Sequence, residues 1–229
     1  MTGIRAVSLD AGGTLVEPWP SVGAIYAGEI RRMGVADPDP SDLDARFHSA
    51  WRRRGAFDYS RDAWRRLVGE VLGETVSPRE LDPVFERLWT RFVEPDAWHV
   101  YPDVRPTLDA LARAGVRLCV VSNWDTRLHD VLRGVGLAEA FEFILPSVEG
   151  AAPKPDPRLF QQAAQRLALD PADILHVGDS LREDVGGAHE AGMEALWLRR
   201  PPAGAEPAHA GSIDSLEVLL PLLTANASK

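Results

Sequence analysis

Apolar residues follow two rhythms along this chain. Short, mostly apolar runs occur at Ile4–Leu9 (IRAVSL), Arg117–Val121 (RLCVV), Phe143–Leu145, Ile174–Val177 and Ala195–Leu198. Runs of this length predict strands buried on both faces of a parallel sheet. Helical spacing fills the gaps: Val104–Ala114 ended by Gly115, Asp125–Val135 closed by Gly136, Pro157–Leu167, and Leu181–Ala191 with Gly192 past its end. A loop of small residues and prolines is expected over Pro201–Gly211, then a packing helix over Ile213–Leu223 and a frayed tail. Strands alternating with helices predict an α/β fold, a doubly wound parallel sheet with right-handed crossovers.

Between Leu15 and about Trp98 the strand signal vanishes and four helices follow. Ser21 reads as the N-cap of Val22–Met33, Ser41 opens a second helix through Trp51, Arg61–Leu72 forms a third, and Ser77 or Pro78 starts a fourth through Phe92. About eighty residues of this kind suffice for a small all-helical domain. The expected division is therefore a core of residues 1–16 and 99–229 with an inserted helical domain of 17–98. Trp19, Trp51, Trp64, Trp89 and Trp98 lie in or beside it, where they are expected to fill its core; Trp19 and Trp124 are alternatively placed to line a pocket. His48 and His99 read as structural histidines.

Composition narrows the function classes. Forty-five per cent hydrophobic residues in 229 supply a proper core, and no apolar run is long enough to span a bilayer. The formal charge of −9 argues against nucleic acid as a partner, because phosphate backbones require clustered cations. No charged start followed by an apolar run precedes the first candidate site residue, so a cytoplasmic protein is expected. Cys119, the single cysteine, lies inside an apolar strand and reads as a buried, inert thiol. Lys154 and Lys229 are the only lysines among many arginines.

Candidate chemistry gathers where predicted strands end. The first strand runs into Asp10-Ala11-Gly12-Gly13-Thr14, the second into Ser122-Asn123, and the Ile174 strand into Gly178-Asp179-Ser180 with Asp184 beyond; Lys154 stands between prolines ahead of a helix. Ligands of open α/β sheets sit outside the carboxyl ends of the strands, and paired glycines let backbone amides approach an anion. Asp10 is a candidate nucleophile toward a phosphoryl centre. Anion attacking anion needs neutralisation, which Mg²⁺ held by Asp10, Asp179 and a main-chain carbonyl would supply, with Asp184 acting more distantly. Helix N-capping is the competing account of Asp179 and Asp184. Thr14, Ser122 and Asn123 can hydrogen-bond the transferring group, and Lys154 supplies a fixed positive charge.

These four segments, in this order, resemble the haloacid dehalogenase (HAD) superfamily of phosphohydrolases and dehalogenases, with the likeness running from Val7 to about Leu220. The resemblance implies a HAD-like Rossmannoid core with a helical C1 cap, an aspartyl-phosphate at Asp10, a Mg²⁺ cofactor, and Gly12 as the residue whose carbonyl ligates it. A small phosphorylated metabolite is the implied substrate, handled by a monomer or homodimer. One departure matters: family phosphatases usually carry a second aspartate, the general acid and base, where this chain has Gly12. Two readings follow, a Mg²⁺-dependent phosphatase that is weak or obtains its proton elsewhere, and a catalytically degenerate binding or regulatory protein. A 2-haloacid dehalogenase, with Arg31 or Arg32 on a substrate carboxylate, is a third.

Overall fold

The computed structural model describes residues 3–200 and 211–224. The tail containing Lys229 and nearly all of the loop expected over Pro201–Gly211 lie outside the described residues. Among the described residues there are eight strands: β1 (Ala6–Leu9), β2 (Val16–Pro18), β3 (Trp98–Val100), β4 (Arg117–Ser122), β5 (Phe143–Pro146), β6 (Ile174–Gly178), β7 (Glu194–Leu198) and β8 (Ser212–Ile213). Six form one sheet in the order β5-β4-β1-β6-β7-β8, and every pair in it is parallel. Chain order reverses beside β1, since β4 and β5 lie on one flank and β6 to β8 on the other. The carboxyl ends of β4, β1 and β6 therefore border the crevice in which such sheets bind ligands.

β1 and β6 are buried along their whole length, as central strands of a sheet covered on both faces must be. On one face, Cys119, Val121 and Ile174 pack against Leu159, Phe160, Ala163 and Leu167 of a helix over Pro157–Leu167. The helix Val104–Arg113 contacts β4 and the segment near Leu216, and buries Val104, Leu108 and Leu111. Layers of helix against a parallel sheet make this a Rossmann-like α/β fold.

By internal contacts the chain divides into two compact units, Met1–Val16 with Val100–Lys229, and Glu17–His99. The second is helical: Val22–Arg32, Pro40–Arg53, Arg61–Leu72 and Leu81–Arg91. Ser21 caps the first helix through the Ala24 N–H, and Ser60 caps the third. The second opens one residue earlier than expected, because Asp39 is its cap and Pro40, not Ser41, takes the first helical position. Trp51, Trp64 and Trp89 pack against the apolar cluster around Ile30, Leu43, Leu67 and Leu88. Trp19 is exposed instead. Arg31 and Arg32 pair with Asp37 and Glu29.

Three local expectations change. β2 pairs with β3, although the sequence pattern predicts no strand between Leu15 and about Trp98. Three residues on each side carry too little periodicity to register. The segment after Asp179 is a wide π-type turn over Leu181–Gly186 that hands on to only one α-turn, Gly187–Glu190. Gly187 explains the tight approach, for a Cβ there would lie 2.6 Å from the Phe160 ring. The expected helix over Ile213–Leu223 is instead β8, a short turn at Leu216–Val218 and a helix over Leu219–Thr224. No helix among the described residues is long and apolar enough to cross a membrane.

Candidate active site

Asp10 leaves β1 with its N–H bonded to the Val177 carbonyl at 2.9 Å, so the end of β6 fixes where this carboxylate begins. The turn after it closes on Ala11, whose carbonyl accepts the N–H groups of Thr14, Leu15 and Val16. Gly13 sits at φ +70°, and a Cβ there would lie 2.4 Å from Asp179 Oδ2. Glycine is thus required twice at this position, for backbone conformation and for the room that Asp179 occupies. Gly178 does the same for Asp184, because a Cβ on it would lie 2.2 Å from Asp184 Cγ. No hydrogen bond among the described residues reaches the Gly12 carbonyl.

Lys154 ties the site together. Its Nζ donates to Asp10 Oδ1 at 2.7 Å, to the Val121 carbonyl at 3.2 Å, and to Asp184 Oδ1, which uses all three ammonium protons. Only 4 % of its surface is exposed, so a solvated surface role is excluded. Asn123 holds the lysine loop: its Oδ1 accepts the Lys154 N–H at 2.7 Å and its Nδ2 donates to the Lys154 carbonyl at 2.9 Å and to Glu183 Oε2 at 3.1 Å. Both side-chain amide protons are spent, so the Asn123 side chain braces Lys154 and has no donor left for a transferring group. Ser122 is buried at the end of β4, where its hydroxyl favours the ionised form of the Asp10 carboxylate.

Thr14 differs from expectation. Its side chain is fully buried and its hydroxyl finds no hydrogen-bond partner among the described residues. Its carbonyl instead accepts from Arg200 Nη2 at 2.6 Å. That guanidinium also donates to both Asp103 oxygens, at 2.7 and 2.6 Å, and lies 4.1 Å over the Tyr101 ring. Arg200 was not found by sequence reasoning, since an Arg-Arg-Pro-Pro stretch reads as an exposed strand end. His176 was missed as well. It lies in the middle of β6, 3.1 Å from Asp184 Oδ1, and its one signal was a histidine inside an apolar run.

Oxygens of Asp10, Asp179 and Asp184 all lie within 4.8 Å of one another. Three carboxylates face one ammonium, and their ionisation divides accordingly. Burial alone would raise Asp184, but Lys154 and His176 outweigh it and hold that group below the ordinary carboxylate range. Lys154 is kept charged, because Asp10 and Asp184 outweigh the cost of its burial. Burial raises Asp10, helped by the Asp184 charge and opposed by Lys154. Asp179 is pushed up to about 7, first by desolvation of its carboxyl group and then by Asp10 and Asp184. The residue is exposed overall while its carboxylate is wedged over Gly13, and the wedged end sets the ionisation. The cluster therefore lacks positive charge. An all-oxygen donor set short of cationic charge fits a hard divalent ion, and the carboxylates able to hold it are Asp10, Asp179 and Asp184.

A parallel α/β fold with an acidic, lysine-bridged crevice at its switch point defines the general class, and comparison with known proteins narrows it. Residues 4–192 match the haloacid dehalogenase-like hydrolase family. This chain belongs to that family. It is 34% identical over 236 residues to a mouse protein called haloacid dehalogenase-like hydrolase domain-containing protein 3, covering 96% of this chain and 91% of the relative. It is also 34% identical over 215 residues to the glyceraldehyde 3-phosphate phosphatase of Methanopyrus kandleri, covering 86% and 84%. Among solved structures, a HAD phosphatase from Thermococcus onnurineus superposes with a TM-score of 0.70 at 27% identity, covering 96% and 97%. A 2-haloacid dehalogenase from Pseudomonas syringae pv. Tomato DC3000 does so at 0.67 and 26%, covering 98% and 100%.

Proposed function

We propose that this protein is a Mg²⁺-dependent phosphohydrolase acting on a small phosphorylated metabolite in the cytoplasm. Asp10 attacks phosphorus, a P–O bond forms on its carboxylate as the ester P–O bond breaks, and the departing oxygen takes its proton from water. Water then attacks the aspartyl-phosphate, which releases inorganic phosphate and restores the carboxylate. The cation would supply charge neutralisation and alignment while held by Asp10, Asp179 and the Gly12 carbonyl, with Asp184 behind them. Lys154 keeps the Asp10 carboxylate oriented and offsets the charge that develops on the transferring group. We assign substrate selection to residues 17–98, as the helical cap.

The observation that carries this reading is the lysine bridge. One buried ammonium joins Asp10 to Asp184 inside a carboxylate cluster that remains short of positive charge. Phosphatase-named relatives support the same reaction class. Turnover of an acyl or aryl phosphate in Mg²⁺ tests it: wild type should release phosphate and Asp10→Asn should not. Silence across a broad panel of phosphate esters refutes it.

A second reading has its own observation. Position 12 carries no acid, and the one atom among the described residues near where its Cβ would stand is Trp124 Cζ3 at 3.4 Å, which brings no acid in its place. A site without that acid suits a binding or regulatory module that retains the fold. Dehalogenation is disfavoured by the retained Gly178-Asp179 pair and by the pairing of Arg31 and Arg32 with acids of their own unit. Chloride release from 2-chloropropionate would reverse that ranking.

A further inference from the structure

Ser8 and His176 are polar residues in the middle of the two most central strands. They are partners in the β1–β6 register, Ser8 is also opposite Cys119 of β4, and all three are fully buried. Around them the interior is apolar: Ala6, Val121, Phe160, Ala163 and Ile174 share the same cluster as Cys119. An imidazole in such surroundings is costly unless each ring nitrogen is hydrogen-bonded. Both are. Nδ1 lies 3.0 Å from Ser8 Oγ and Nε2 lies 3.1 Å from Asp184 Oδ1, while Phe160 meets the ring edge-on with centroids 4.9 Å apart.

These contacts set the direction of every proton. An ionised Asp184 can only accept, so Nε2 carries the hydrogen. The Ser8 hydroxyl lies 3.0 Å from Nδ1, which a ring with its hydrogen on Nε2 leaves free to accept. Asp184 then receives Lys154 and His176 on Oδ1 and the Ser180 N–H at 2.9 Å on Oδ2. Oδ1 is saturated, and one lone pair remains on Oδ2. With Gly178 against its back, the carboxylate has one rotation that satisfies all three donors.

We propose that His176, oriented by Ser8, is a positioning residue that fixes the rotation of Asp184 and turns its remaining lone pair toward the cation site shared with Asp10 and Asp179. Lys154 cannot do this alone, because its ammonium also serves Asp10 and can follow either carboxylate. A neutral ring locked by a serine is a rigid donor that does not compete for that charge. The inference rests on the hydrolase reading and specifies what holds its metal site.

Two measurements on the full chain test it. Long-range ¹H–¹⁵N NMR of the wild-type protein should show His176 neutral with hydrogen on Nε2. A hydrogen on Nδ1, or an imidazolium, overturns the proposal without any substitution. Calorimetric titration with Mg²⁺ alone should show His176→Phe binding ten- to a hundredfold more weakly than wild type, about the range set by the loss of an outer-shell partner. His176→Gln, which retains a donor near the Nε2 position, should recover most of the loss, and Ser8→Ala should fall between. If His176→Phe does not melt cooperatively, the comparison passes to Ser8→Ala and His176→Gln. Folded variants that bind Mg²⁺ as wild type does refute the positioning role alone. A wild-type protein that binds no Mg²⁺ refutes the hydrolase reading itself, and with it the purpose assigned to His176.

Discussion

Restoring a carboxyl group at position 12 is the most informative perturbation of this site. Gly12 and Gly13 are adjacent yet differ completely in what they tolerate. Gly13 has a left-handed backbone, and any Cβ on it would drive into the Asp179 carboxylate at 2.4 Å. Gly12 has an ordinary backbone angle, and its Cβ would meet only Trp124 Cζ3 at 3.4 Å, an ordinary van der Waals contact. A side chain therefore fits at 12 and not at 13. General acid catalysis contributes ~10²–10⁴-fold, which is about 3–5 kcal/mol of barrier at about 1.4 kcal/mol per decade. The gain should depend on the leaving group. Without an acid the oxygen departs carrying its charge, so wild-type rates should fall steeply from acyl to aryl to alkyl phosphates. Gly12→Asp should flatten that series, gaining least on acyl phosphates and about 10²-fold or more on alkyl ones. Gly13→Ala should lose activity and weaken Mg²⁺ binding. Phosphate release across the series, with folding checked by thermal melts, measures both. A folded Gly12→Asp protein with no gain on alkyl phosphates, or an equal gain on all esters, refutes the account of what this position lacks.

Three further outcomes follow from the geometry. Lys154→Met leaves the buried Asp10 and Asp184 without their shared cation and should cost about 3–5 kcal/mol in urea unfolding, the cost of breaking a buried ion pair from one side; an unchanged midpoint would contradict this. Burial opposes ionisation of Asp103, but Arg200, the Leu216 N–H and Ser215 outweigh it and hold the carboxyl below its usual range. Its stabilisation is therefore complete above the unfolded value near pH ~4 and drains as pH falls through the folded one. Asp103→Asn should cost about 1.5–3 kcal/mol at neutral pH, and the gap to wild type should close in acid; a gap independent of pH would refute the pairing. Asp179, raised to about 7, has the opposite sign: its proton is retained on folding, so the metal-free protein loses stability as pH rises from the unfolded value toward 7. Mg²⁺ must displace that proton, so affinity measured by calorimetry should weaken by about tenfold per pH unit below 7, and a flat profile would count against Asp179 as a ligand.

The parts of the fold visible in the sequence are those whose signal is local. β1, β4 and β6 are mostly apolar runs because both sheet faces are covered, and Ser21 announces a helix start through its own side chain. β2, β3 and β8 were illegible because two or three residues have no period, and their pairing is decided by partners distant in sequence. The site divides in the same way. Asp10, Asp179 and Asp184 follow strand ends and could be read as chemistry. Asn123 spends its side-chain polar atoms within the protein, and Thr14 buries a hydroxyl that finds no partner among the described residues while its carbonyl takes Arg200; both depend on where Lys154 and Arg200 arrive from 31 and 186 residues away. His176 and Ser8 look like core positions because they are core positions. Only the strand register shows that one reaches Asp184 and the other reaches the first.

The central claim is that Asp10 accepts a phosphoryl group beside Lys154 and the carboxylate cluster. Mixing the protein with acetyl phosphate and Mg²⁺, reducing with borohydride after a rapid quench, and mapping the peptides reads this directly. Conversion of Asp10 to homoserine, dependent on Mg²⁺ and absent from every other carboxylate, is the predicted result. An unmodified Asp10 in protein that is folded and binds Mg²⁺, or reduction at a different aspartate, would contradict it.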